Sequence, residues 1–195
     1  MTNKSRAKSN SKVKNGSIRV IAGKYRGRKL AVLDVDGLRP TTDRVKETVF
    51  NWLMPYINKA NCLDCFAGSG GLGFEALSRG AQHVTFLELN KKAAQQLTRN
   101  LKTLKDDNAI VINTDSLRYL DVANQQFDVV FIDPPFHQGL LSDTINKLAQ
   151  NWLQPSALIY IEAETEAKLT NIPLNWQLLK EKMAGQVAYR LYQTN

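Results

Sequence analysis

The sequence predicts an α/β fold, a mostly parallel sheet with helices on both faces, and three observations point to it. From Cys62 onward, short apolar runs alternate with amphipathic stretches: strands near 61–66, 83–88, 109–113, 127–132 and 157–162, helices near 71–79, 90–104, 115–120 and 138–152. Such alternation builds parallel sheets. Between the first strand and its helix, Gly68, Gly70 and Gly73 match G-x-G-x-x-G. Glycine is needed there if the backbone is to approach a ligand closely or adopt positive φ, although the same spacing also makes a plain tight turn. Glu88, twenty residues after Gly68 at the end of the second strand, supplies the carboxylate that takes ribose hydroxyls. Together the loop and the acid predict an adenosine-containing cofactor.

The elements are justified in chain order. Residues 1–16 are Lys, Ser and Asn with almost nothing apolar, so they bury too little surface to offset ordering entropy and are expected to be a disordered basic tail. Residues 17–38 read as a basic β-extension: Ile18-Arg19-Val20-Ile21-Ala22, a two-residue turn at Gly23-Lys24, and a return strand from Tyr25. Its cargo is Arg19, Lys24, Arg26, Arg28 and Lys29 with Tyr25 among them, a set suited to phosphates and a stacked base, or alternatively a plain exposed hairpin. The main domain spans 39–195. Thr42 is placed as an N-cap, and Val45, Val49, Phe50, Trp52 and Leu53 recur at helical spacing up to Pro55, with Trp52 in the core. Trp152 and Leu153 are expected to close the fourth helix of the alternating region, which Pro155 ends. At the C-terminus, 176–182 and 187–192 flank Ala184-Gly185, a hairpin signal.

The charge is lopsided. Of a net +8, residues 1–46 carry 13 Lys/Arg against 3 Asp/Glu, and the remainder 13 against 15. A basic block of this kind is the electrostatic footprint of a nucleic-acid partner, or else a solubilising tail. No apolar run approaches a membrane span and the N-terminus lacks a signal-peptide core, which places the protein in the cytoplasm. Cys62 and Cys65 are the only cysteines. With His83 and His137 far away in sequence they make no zinc set, and Cys62 inside an apolar strand is poorly placed for redox chemistry, so both read as buried small residues.

Asp133-Pro134-Pro135-Phe136 follows the apolar run 127–132 and so sits where a buried strand meets a loop. Proline pushes the preceding residue extended and has no N–H. The main chain beside Asp133 therefore offers carbonyl acceptors without competing donors, next to an acceptor-only carboxylate. That edge suits an amino group with two hydrogens, and Phe136 suits the ring that carries it. Asp64, just before the glycine loop, is a natural partner for the ammonium of a methionine moiety and has no equal role beside a pyrophosphate, which favours S-adenosylmethionine over a nicotinamide dinucleotide. Asp115-Ser116 suits an adenine amino group, or Asp115 the N-cap of the following helix.

These residues resemble a known family, the bacterial small-subunit ribosomal RNA guanine-N2 methyltransferases of the RsmD type. The likeness runs from Ile18 to about Tyr192 through Arg19-Val20-Ile21-Ala22-Gly23, Arg26-Gly27-Arg28-Lys29-Leu30 and Arg39-Pro40-Thr41-Thr42-Asp43-Arg44-Val45-Lys46-Glu47. It continues through Phe66-Ala67-Gly68-Ser69-Gly70-Gly71-Leu72-Gly73-Phe74-Glu75-Ala76 to Asp133-Pro134-Pro135-Phe136. The resemblance implies a Rossmann-like class I methyltransferase fold, a seven-stranded sheet ending in an antiparallel hairpin. It implies S-adenosylmethionine as donor and guanine in 16S ribosomal RNA as acceptor. The small basic extension is insufficient to read a sequence by itself, so a partly or fully assembled small subunit is the expected substrate; the chemistry requires no metal, and a monomer is expected. Carried over by position, Asp64, Phe66, Gly68, Ser69, Gly70, Glu88, Leu89, Asp115, Ser116 and Thr42 would line the cofactor. Asp133, Pro134, Pro135 and Phe136 would hold the target base, and Arg19, Lys24, Arg26, Arg28, Lys29 and Arg39 would meet RNA. Cys65 replaces an expected aliphatic residue and Lys46 the usual arginine. A DNA adenine-N6 methyltransferase shares a similar acceptor motif but needs sequence for site reading and base flipping that this chain lacks. A non-catalytic RNA-binding assembly factor would be favoured by a broken glycine loop or a lost Asp133, and neither is seen.

Overall fold

Two sheets form in the computed structural model, which describes residues 16–33, 41–122, 125–136, 138–167, 169 and 171–195. The expected tail up to residue 15, and Arg39, lie outside the described residues. The small sheet pairs β1 (Gly16–Arg19) with β2 (Lys29–Val32) antiparallel, Ile18 opposite Leu30. The first strand thus begins at Gly16, inside the stretch expected to be tail.

The large sheet comprises β3 (Asn61–Asp64), β4 (His83–Glu88), β5 (Ala109–Asn113), β6 (Phe127–Ile132), β7 (Leu153–Glu164), β8 (Trp176–Ala184) and β9 (Val187–Thr194). Their order is β5-β4-β3-β6-β7-β9-β8; β5 through β7 are parallel, and β9 runs antiparallel to both neighbours. The seven strands and the terminal hairpin match the expected fold class. The helices are α1 (Asp43–Leu53), α2 (Gly71–Ser78), α3 (Lys91–Leu104), α4 (Ser116–Val122) and α5 (Leu140–Leu148). Thr42 does cap α1, its Oγ1 accepting from the Val45 N–H at 3.4 Å.

Strand alternation divides the core into two layers. Cys62, Val84, Phe86, Val129, Phe131, Leu158 and Tyr160 face one side, covered by α1, α2, α3 and the small sheet. Leu63, Cys65, Leu87, Val130, Ile132, Ile159 and Ile161 face the other, under α4 and α5. Both cysteines are free and fully buried, as expected.

Two expectations fail. Trp152 and Leu153 do not close a helix. Helix α5 ends at Leu148, and Trp152 folds beneath α4, donating its indole N–H to the Leu120 carbonyl at 3.1 Å and stacking on Phe127 at 6.2 Å. Pro155 lies within β7, where pairing steps from Phe127–Leu153 to Val129–Leu158 and the intervening residues bulge, Ser156 taking φ 62°. A bulge tolerates the missing proline N–H that a regular central strand does not.

The turn at Gly23-Lys24 is likewise not a two-residue turn. Val20 and Arg28 still pair, but residues 21–27 form a loop seated on α2 and α1 by buried polar contacts. The Glu75 carboxylate accepts the Ile21 N–H at 2.8 Å and the Ala22 N–H at 3.0 Å, and pairs with Arg79 at 2.7 Å. Ser78 accepts the Tyr25 N–H at 2.9 Å, donates to the Ala22 carbonyl and accepts the Lys24 N–H on its own carbonyl at 2.7 Å. Lys46, 1% exposed, donates its ammonium to the Arg19 carbonyl at 2.5 Å and pairs with Asp43 at 3.2 Å. Ile18, Val20, Tyr25, Leu30 and Val32 join the first core layer, so the extension is packed into the domain.

Candidate functional site: a carboxyl row at the sheet's switch point

Strand order reverses between β3 and β6, and in open α/β sheets ligands bind in the crevice beyond the C-terminal strand ends at such a point. Register and alternation place four acids there on one face. Asp64 ends β3 opposite Phe131 of β6; Asp133 is two residues beyond Phe131. Phe131 pairs with Tyr160, so Glu162 of β7 stands beside Asp133, while Glu88 ends β4 on the other flank. Like charges so close cannot all ionise freely.

The shifts follow. Burial pushes Asp64 up to about 7, partly offset by the Gly73 N–H that its Oδ2 accepts at 3.2 Å. Asp133 is held well above the usual carboxylate range by burial and then by the Glu162 and Asp64 carboxyls. Glu162 is raised by burial, against the Tyr160 hydroxyl that donates to it at 2.8 Å. Glu88 is raised by burial and opposed by the Asn90 and Gly68 N–H groups. No Lys or Arg among the described residues pairs with any of the four acids. Such a row awaits positive charge or hydrogen-bond donors.

The glycine loop is fixed by hydrogen bonds to β4 and by close packing. Gly68 donates to Glu88 Oε2 at 2.8 Å and Ala67 donates to the Leu87 carbonyl at 2.9 Å, tying the loop to β4. Gly70 precedes α2 at φ +80°, and a Cβ there would lie 2.5 Å from the Phe74 ring. At Gly73 a Cβ would lie 2.1 Å from Phe86, so the third glycine lets α2 press onto β4. Thr41 approaches the start of α2, which puts Thr42 at the rim of this loop, exposed. Phe66 is half-buried, Ser69 buried and Leu89 69% exposed beside Glu88.

These residues fit an S-adenosyl group: Glu88 keeps a half-exposed carboxylate for a diol, and Asp64 a buried one for an ammonium. At the third strand, Asp115 accepts the Arg118 N–H at 3.0 Å and so acts as the cap of α4, while the Ser116 hydroxyl turns inward to the Cys65 carbonyl. Both side chains are already engaged by the fold.

On the acceptor side, Pro134, Pro135 and Phe136 line a cavity of about 280 Å³ with Leu141, Ile145, Glu162 and Ala163; its apolar wall belongs to the core layer under α5, and Asp133 stands next to it rather than in its lining. Glu162 and Glu75 have no role assigned from sequence, and Lys46 stands out only as replacing a usual arginine. Glu162 directly follows the apolar run 157–161, and a carboxyl at that point is the only local signal. In the small sheet, Arg19, Lys24, Arg26, Arg28 and Lys29 are all exposed. Tyr25 is not available for stacking: it is 7% exposed and donates its hydroxyl to Asp106 at 2.6 Å. Among the described residues no group of three His, Cys, Asp or Glu side chains is arranged to hold a metal, and no helix is long and apolar enough to cross a membrane.

The fold is that of the class I S-adenosylmethionine-dependent methyltransferases. The chain belongs to the family described as Conserved hypothetical protein 95, whose model matches residues 18–193. It is 57% identical over 180 residues to Ribosomal RNA small subunit methyltransferase D of Escherichia coli strain K12, covering 92% of this chain and 91% of that protein. It is 60% identical over 183 residues to the Haemophilus influenzae protein of the same name, covering 91% and 94%. A solved structure of the Escherichia coli protein yhhF superimposes with a TM-score of 0.87 at 54% identity, covering 92% of this chain and 98% of that one.

Proposed function

We propose that the protein transfers a methyl group from S-adenosylmethionine to the exocyclic N2 of a guanine in 16S ribosomal RNA, in the cytoplasm, on a partly or fully assembled small subunit. The observation that carries this reading is Asp133-Pro134-Pro135-Phe136 at the switch point, with Asp133 next to Asp64 on one face of the sheet and Pro134 to Phe136 bordering a cavity of a size to admit a base. The ribosomal RNA named for the relatives supports the substrate class.

When bound, the cofactor supplies an electrophilic methyl group. The guanine amino nitrogen is a poor nucleophile because its lone pair is delocalised into the ring. Asp133 and the Pro134 carbonyl accept its two hydrogens, which favours a pyramidal nitrogen with a localised lone pair, and neither proline offers an N–H to compete. Asp133 stabilises the positive charge that develops on the nitrogen. Its raised proton affinity, from burial and the neighbouring Glu162 and Asp64, suits it to take the departing proton. Preorganised stabilisation of this kind is worth ~3–4 kcal/mol per group. The exposed cations of the small sheet, held rigidly by Glu75, Ser78 and Lys46, supply phosphate contacts.

The test is incorporation of labelled methyl into small subunits from a strain lacking the gene, with naked 16S RNA and duplex DNA in parallel and the product nucleoside identified by mass. N2-methylguanosine in ribosomal RNA is expected. N6-methyladenine in DNA, or no transfer at all, would overturn the reading.

A further inference from the structure

We propose that Glu162 reads the N1–H of the target guanine and is the residue that selects guanine over adenine; this rests on the guanine-N2 reading above. Glu162 stands next to Asp133 across the β6–β7 pair, on the same face, and also borders the cavity that Pro134 and Phe136 line. Its Oε2 is oriented by the hydroxyl of Tyr160, which is fully buried and packs edge-on against Phe131. The side chain is thus fixed on a rigid strand, on the same face of the sheet as Asp133, with acceptor positions beyond the one Tyr160 uses.

In the fold Glu162 accepts the Tyr160 hydroxyl, a role that a neutral acceptor fills as well, so the fold does not account for a second carboxyl beside Asp133. It forms no ion pair with a described residue, and each acid raises the cost of ionising its neighbour. The arrangement is accounted for by a ligand edge made only of donors. Guanine has that edge, with N2–H2 and N1–H side by side. Two hydrogens go to Asp133 and the Pro134 carbonyl, and the third faces Glu162. Adenine placed with its amino group on Asp133 would turn the N1 lone pair toward Glu162, acceptor against acceptor. Sites whose polar groups are left unpaired by the wrong substrate discriminate strongly.

The test uses small subunits reconstituted with 16S RNA in which the target guanine is replaced by 2,6-diaminopurine, which keeps the N2 amine but carries a lone pair at N1. The wild type is expected to prefer guanine by at least about 100-fold in kcat/KM. Glu162→Gln retains an acceptor for Tyr160 but offers an amide N–H to a lone pair at N1. It is expected to narrow that preference by about 10- to 100-fold, with S-adenosylmethionine affinity by calorimetry unchanged. An unchanged ratio in E162Q, or equal loss of cofactor binding, would overturn the proposal. So would a wild type that methylates diaminopurine as readily as guanine, a result independent of any variant's folding. In each case guanine-N2 transfer by the wild type stands separately, and its absence would instead remove the underlying reading.

Discussion

Glu75→Ala tests whether the basic small sheet is held on the catalytic domain by one buried carboxylate. Glu75 is 1% exposed and accepts two backbone N–H groups at 2.8 and 3.0 Å, from Ile21 and Ala22, while pairing with Arg79 at 2.7 Å. Truncation orphans both amides, at about 1 kcal/mol each at the lower end for buried donors. Arg79 also loses its partner. That guanidinium keeps some solvent access and lies 5.1 Å from the Phe50 ring, so its loss adds ~1–2 kcal/mol, less than the full cost of breaking a deeply buried pair. The expected destabilisation is ~3–4 kcal/mol, within the ~5–15 kcal/mol typical of a domain, so the variant should still fold. Urea titration measures the loss, and hydrogen exchange shows whether the Ile21 and Ala22 amides are the ones released. A loss below ~1 kcal/mol, or protection retained at both amides, would refute the anchoring role.

Further outcomes concern the site itself. Asp133→Ala is expected to lower turnover by about 100-fold or more while leaving cofactor affinity nearly unchanged, since it removes a group acting on the acceptor nitrogen; single-turnover rates and calorimetry check the split. Asp64 is pushed up to about 7 from an ordinary 3.8, so the native state binds this proton more tightly than the unfolded chain. Its contribution to stability is therefore full below about pH 4 and is lost as pH rises through about 7; Asp64→Asn should flatten that slope in urea titrations at a series of pH values, and the opposite slope would sink the assignment. Because only the ionised carboxyl attracts an ammonium, S-adenosylmethionine should bind more tightly as pH rises through the same range in the wild type and not in the variant. Replacing Arg26, Arg28 and Lys29 by Ser should weaken RNA binding and flatten its dependence on log salt by roughly 0.7–0.9 for each lost phosphate contact, which filter binding at several salt concentrations would reveal.

The glycine loop, Glu88, the Asp133 motif and the strand–helix alternation were legible in the chain because each is specified within a few residues or by a fixed periodicity. So was the Thr42 cap, a local hydrogen bond across three residues. Trp152 misled because aromatic spacing near an apolar run says nothing about which layer it fills. Pro155 misled because a bulge is set by the neighbouring strand's register, which no local pattern contains.

What only the tertiary structure decided is what buried polar groups do. Glu75 meets Ile21 from 54 residues away, Tyr25 meets Asp106 across 81, and Lys46 reaches Arg19 across 27. In sequence each is an ordinary charged or aromatic residue in an amphipathic run; each acquires its role when desolvation makes one distant partner mandatory. The pairing of Asp133 with Glu162 follows the same logic. Local chemistry marked Asp133, but only the parallel register of β6 and β7 brings the second carboxyl alongside it, because strand order is set by how the whole chain buries its apolar faces.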